Sequence, residues 1–234
     1  MILACNTASA KALRTIQQKD LKVINGGMKR NVLGVIRPTV EAVPGITKTG
    51  HVGILATPAT VSSESYVLEL QKIAEGLQVT QQACPLWVPL IENGEHNGPG
   101  AKYFVGKYLR ELLAKDSQID TLVLGCTHYP LLKEMIEGWL RYHEEIEESN
   151  FPQAIHTEHI RIISQGTLVA KSLADYLRRH PEYESRLTKA TPLSTDSTAC
   201  GSCRYLTTEN ADRFSQSASL FLSSPVQAEH IDLE

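Results

Sequence analysis

Two cysteines occupy matching places in this chain. Ile2-Leu3-Ala4-Cys5-Asn6-Thr7-Ala8 is an apolar run, a small residue, a cysteine, then two polar residues opening a helix. Val123-Leu124-Gly125-Cys126-Thr127-His128-Tyr129 repeats that order in the other half of the sequence, as expected for one thiol in each of two lobes. A thiol at a helix N-terminus feels the positive end of the macrodipole, which favours thiolate. The free N–H groups of such a helix start suit a carboxylate, and Asn6, Thr7 and Thr127 add side-chain donors. Two thiols facing one cavity from opposite sides can invert a stereocentre without a cofactor. The thiolate removes a proton from carbon, and the thiol returns one to the opposite face. A lone strand-end cysteine more often packs as a small apolar group. The repeated pattern, each time followed by carboxylate-binding residue types, reverses that balance.

The remaining cysteines carry less. Cys84 lies on a strand before proline and reads as core. Cys200 and Cys203 form a CxxC, but no second CxxC or HxxxH partners it, and a polar loop, Ser194 to Thr198, precedes it. It reads as structural or incidental, and no metal is expected. There is no GxGxxG and no GxxxxGK[ST], so neither a dinucleotide fingerprint nor a P-loop is present, and Gly26-Gly27 reads as a turn. The balance of 23 Lys+Arg against 26 Asp+Glu excludes the basic footprint of a nucleic-acid protein. No apolar run approaches the roughly 20 residues that span a bilayer. The few residues before Cys5 are too short for a signal peptide, so reduced thiols and a cytoplasmic location are expected.

These residues need elements to hold them. At 234 residues the chain suits one large domain or two lobes. Short apolar runs at 32–36, 51–56, 78–84, 121–125 and 160–163 alternate with helical spacing at 60–77, 102–113, 129–142 and 168–177, with a last helix at 212–222. Proline at 38 is expected to end the first of these strands. Strands separated by helices predict an α/β fold with mainly parallel sheet covered on both faces. Ligands bind outside the carboxyl ends of such strands, where both cysteine motifs fall.

Ala4-Cys5-Asn6-Thr7-Ala8-Ser9 and Gly125-Cys126-Thr127-His128-Tyr129-Pro130-Leu131-Leu132 resemble the two signature motifs of bacterial glutamate racemases. Aspartate racemases have similar cysteines but typically lack the His-Tyr-Pro continuation. The resemblance extends through Gly34-Val35-Ile36, Ala56-Thr57-Pro58-Ala59-Thr60, Ala83-Cys84-Pro85 and Val88-Pro89-Leu90-Ile91-Glu92, and on to the 170–181 and 207–222 segments. It implies two pseudo-symmetric three-layer lobes with the active site in the cleft between them. It also implies cofactor-independent interconversion of L- and D-glutamate, supplying D-glutamate for peptidoglycan. By position, Cys5 would take the proton from D-glutamate and Cys126 from L-glutamate. Asn6, Thr7, Thr57, Thr60 and Thr127 would hold the substrate, and His128 and Glu92 would tune or assist Cys126. The resemblance divides the chain into a first lobe, 1–38 and 163–234, and a second, 39–162. A homodimer is the expected assembly, with glutamate as the small-molecule substrate and no nucleic-acid or membrane partner.

Members of the family normally open with a strand ending in Asp-Ser, followed by a Gly-rich turn and later by a Tyr-Gly motif. This sequence has neither, so the first lobe is expected to be N-terminally truncated and the chain poorly soluble and weak or inactive as a racemase. The competing expectation is therefore an impaired fragment that keeps only a carboxylate-binding cleft or a partner surface. A third, a zinc or redox protein centred on Cys200 and Cys203, would show stoichiometric metal or a reversible disulfide.

Overall fold

A computed structural model describes residues 1–24, 31–142, 157, 159–182 and 203–233. The chain opens with β1 (Ile2–Leu3) and α1 (Asn6–Lys11), prolonged by α2 (Leu13–Thr15), a π-helical turn and α3 (Leu21–Ile24). β2 (Leu33–Gly34) pairs parallel to β1 through Ile2↔Leu33 and Leu3↔Gly34. The helix α4 (Ile36–Ala42) follows directly and runs through Pro38. That departs from the sequence expectation, in which Pro38 closed a strand. Proline is tolerated in the first helical turn because the N–H it lacks has no acceptor there.

The principal sheet is built from β3 (His51–Ala56), β4 (Gln78–Ala83), β5 (Thr121–Gly125) and β6 (Arg161–Ile163). Its order is β4-β3-β5-β6, and every pairing is parallel. All of β5 and the last five residues of β3 are buried, as central parallel strands covered on both faces must be. The crossovers carry α5 (Pro58–Ser62), α6 (Ser65–Ile73), α7 (Trp87–Glu92), α8 (Pro99–Lys115) and α9 (Lys133–Tyr142). The expected helix over 60–77 is broken in two at Glu64, whose φ of 53° leaves the helical region. Val52, Ile54, Ala56 and Val123 of the sheet pack with Tyr66, Leu70, Val40 and Val43 to form the core. Burying side chains of this kind contributes roughly 1.5–3 kcal/mol each.

The chain divides into two compact units, Met1–Ala174 and Asp175–Glu234. α10 (Gln165–Arg179) begins in the first. The second holds β7 (Tyr205–Thr207) and β8 (Ala228–His230), paired parallel, with α11 (Ala211–Leu222) between them. Asn210 caps α11 by accepting the Arg213 N–H at 2.9 Å. The expected α/β class with parallel sheet is what the structure shows. Cys200, the Gly26-Gly27 turn and the 144–148 acidic run lie outside the described residues. Among the described residues no helix is long and apolar enough to cross a membrane.

Candidate active site

The carboxyl ends of three strands are level. Ala56 of β3 pairs with both Ala83 of β4 and Gly125 of β5, so Thr57, Cys84 and Cys126 are the first residues beyond the sheet. Thr57 is extended and caps α5, its hydroxyl accepting the Thr60 N–H at 3.3 Å. Thr7 arrives from α1. Its Oγ1 lies 2.9 Å from Thr57 Oγ1 and 3.2 Å from Thr60 Oγ1, and the latter two are 3.1 Å apart. Three of the expected binding residues, from two separate strand–helix turns, thus form one triangle of hydroxyls. Each hydroxyl both donates and accepts, so their protons can be turned outward onto an anion.

Cys126 follows Gly125 at the end of β5 and is 7% exposed. Burial pushes its thiol up to about 11, against the backbone N–H groups of His128 and Tyr129, which lower it. Charge on Cys5 pushes the same way as burial, which places the two thiols within each other's electrostatic reach. At neutral pH Cys126 is therefore a protonated donor. Its Sγ lies 3.7 Å from His128 Nδ1, and His128 Nε2 lies 3.1 Å from Glu92 Oε1. A carboxylate on Nε2 favours the tautomer with the proton there, leaving Nδ1 to accept from the thiol. The structure thus brings together Glu92, from the end of α7, with His128 and Cys126, as expected. Behind them, Tyr129 donates to the Cys84 carbonyl at 3.2 Å and meets Trp87 edge to face at 4.7 Å. Cys84 itself is buried.

Cys5 is exposed in extended backbone at the start of α1, and its carbonyl accepts the Ser9 N–H at 2.9 Å. Thr127 is exposed beside Cys126. Asn6 is different: it is 2% exposed, and its amide is engaged by Gln165 and Tyr66. Sequence reasoning passed over both of those partners. Gln165 follows β6 by two residues, so the rule that strand ends carry chemistry could have flagged it. Tyr66 had no such signal. Its ring also bounds the other thiol strand, because a Cβ on Gly125 would lie 3.2 Å from Tyr66 Cε2 and 3.0 Å from the Leu55 carbonyl oxygen. Of the second expected cysteine pair, Cys203 is exposed. Among the described residues no group of three His, Cys, Asp or Glu is placed to hold a metal ion.

A family profile described as Asp/Glu/Hydantoin racemase matches residues 1–141. A glutamate racemase from Sulfurihydrogenibium sp. is 38% identical over 167 residues, 71% of this chain and 60% of that protein. One from Shouchella clausii is 33% identical, covering 99% of this chain and 71% of its own length. The crystal structure of glutamate racemase from Francisella tularensis in complex with D-glutamate matches with a TM-score of 0.72 and 29% identity, over 100% of this chain and 73% of that one. The chain thus spans three-fifths of the first relative's length. Against the expectation of an N-terminally truncated first lobe, these matches run over 99–100% of this chain, and over 71–73% of the proteins they match. The short strand β1 is held by its neighbours. Leu33 N–H donates to the Met1 carbonyl at 2.9 Å, and the Ser9 hydroxyl to the Leu3 carbonyl at 3.0 Å.

Proposed function

Since this chain belongs to the Asp/Glu/Hydantoin racemase family, we propose that it interconverts L- and D-glutamate by two-base proton transfer between Cys5 and Cys126, with no cofactor. The observation that carries the reading is the placement of Thr7, Thr57 and Thr60 as one hydroxyl triangle between the turn that bears Cys5 and the strand beside Cys126. In the D-to-L direction, Cys5 as thiolate takes the α-proton. Cys126, held as a thiol by its burial, delivers its proton to the opposite face. The electron pair left by the C–H bond is delocalised into the α-carboxylate, where threonine hydroxyls and Thr127 donate to the developing charge. Cys126 is then a thiolate and Cys5 a thiol. His128, backed by Glu92, relays a proton to Cys126, and the exposed Cys5 releases its proton to water, which restores the starting state. In the L-to-D direction the same relay accepts the Cys126 proton. Provision of D-glutamate for peptidoglycan, a cytoplasmic location and a homodimeric assembly belong to this proposal.

The test is proton NMR of each enantiomer with the protein in D2O. Loss of the α-proton signal is expected from both. Cys5→Ser should abolish exchange from D-glutamate and Cys126→Ser from L-glutamate. Folded protein that exchanges neither enantiomer would overturn the proposal.

A further inference from the structure

Asn6 adjoins Cys5, and its side chain is bound by two buried residues, Gln165 and Tyr66. Asn6 Nδ2 donates to Gln165 Oε1 at 2.6 Å. Asn6 Oδ1 accepts from the Tyr66 hydroxyl at 2.7 Å and from Gln165 Nε2 at 3.1 Å. Gln165 Nε2 also lies 3.1 Å from Thr39 Oγ1 and 2.5 Å from the Tyr66 oxygen, so its two N–H groups are shared among three acceptors. The four residues come from α1, α4, α6 and the start of α10, and none is more than 5% exposed.

The orientation of both amides in this ring follows from Thr39. The Thr39 hydroxyl donates to the Val35 carbonyl at 3.2 Å, so towards Gln165 it can only accept. That turns the Gln165 amide nitrogen to Thr39 and its oxygen to Asn6. The Asn6 nitrogen must then face Gln165 and its oxygen Tyr66. Burial holds the Tyr66 phenol in its neutral form, so it remains a donor. Buried amide networks of this kind are satisfied as a unit, and deleting one member strands the others without partners.

We infer that Gln165 is a positioning residue for the Cys5 half-reaction, acting through Asn6, whose side chain fastens the Cys5 turn to α6 and α10. The inference rests on the racemase reading above for its effect on catalysis. Thr7, the next residue of that turn, has its hydroxyl in the triangle. A ring that fixes Asn6 fixes the residues on either side of it, Cys5 and Thr7.

Two variants test this. Gln165→Leu removes the hub, and Tyr66→Phe removes one hydroxyl while leaving the aromatic core filled, so it guards against a variant that fails to fold. The first readout needs no glutamate. The rate at which iodoacetamide alkylates Cys5 is followed against pH by mass spectrometry of the tryptic peptide Met1–Lys11, with Cys203 as internal reference. We expect the Cys5 rate profile to change by about tenfold, the equivalent of one hydrogen bond, while Cys203 is unmoved. The second readout is α-proton exchange, expected to fall about tenfold from D-glutamate and less than about twofold from L-glutamate. Folded variants with unchanged Cys5 alkylation would overturn the inference. So would equal losses from both enantiomers, which a purely structural role predicts. If the unaltered protein exchanges neither enantiomer, the racemase reading fails, and the alkylation result still decides whether Gln165 positions Cys5.

Discussion

Asp120 precedes β5, at the opposite end of that strand from Cys126. Burial alone would raise its pKa. Hydrogen bonds from the Thr47 hydroxyl at 2.6 Å, the N–H groups of Thr49 and Lys48, and the Thr121 hydroxyl outweigh that and hold it down at about 2, below its ordinary 3.8. A carboxyl lowered on folding adds stability above its unfolded pKa and loses it as pH falls through the folded one. Asp120→Asn should therefore cost about 2 kcal/mol near neutral pH, shrinking as pH falls from 3.8 towards 2. Urea denaturation at the two pH limits measures this, and an equal cost at both would contradict it. Individual residues differ in how legible they are. Cys5 and Cys126 were readable because their type carries chemistry and their motifs sit at strand ends, whereas His128 and Glu92 entered through the family resemblance. Tyr66 carried no such signal, and Gln165 carried only its place two residues after β6. Asn6 and Gln165 are 159 positions apart, and a glutamine opening a helix looks like any solvated polar residue.

β3 and β5 meet side by side where the site begins, and Gly125 allows them to. Its added Cβ would press on the Leu55 carbonyl oxygen at 3.0 Å, the Ala56 Cβ at 3.1 Å and Tyr66 Cε2 at 3.2 Å, of which the first two belong to a buried strand that cannot yield. Gly125→Ala should destabilise the fold by roughly 1–3 kcal/mol. It should also slow exchange from both enantiomers, since it displaces the strand of Cys126 and the ring that anchors Asn6. A variant with unchanged melting and unchanged exchange would refute this. The buried strands β3 and β5 were legible as apolar runs, and β5 has the same bounds in sequence and structure. The split between α5 and α6 was not, because the apolar spacing of 60–77 continues across Glu64 while its backbone does not. β7 and β8 escaped too. Each has three residues, and Ala-Glu-His has no β-strand signature.

The two compact units are unequally built. In Met1–Ala174 the core strands and helices bury large side chains such as Trp87, Tyr66, Leu109 and Leu122 completely. In Asp175–Glu234 the buried residues, among those described, are Thr207 and Ala228. Backbone protection follows local burial. Amides of β7, β8 and α11 should therefore exchange with deuterium well before those of β3 and β5 under native conditions, and simultaneous exchange would show one cooperative structure. Within the first unit, Tyr66 reaches towards both halves of the chemistry, its hydroxyl on Asn6 and its ring against Gly125. A phenol does not stretch, so it acts as a gauge block between two walls. The spacing between the Asn6 turn and the Gly125 strand is then set by positions 66 and 125, and regrinding that spacer would shift one motif against the other with both sulfurs left in place.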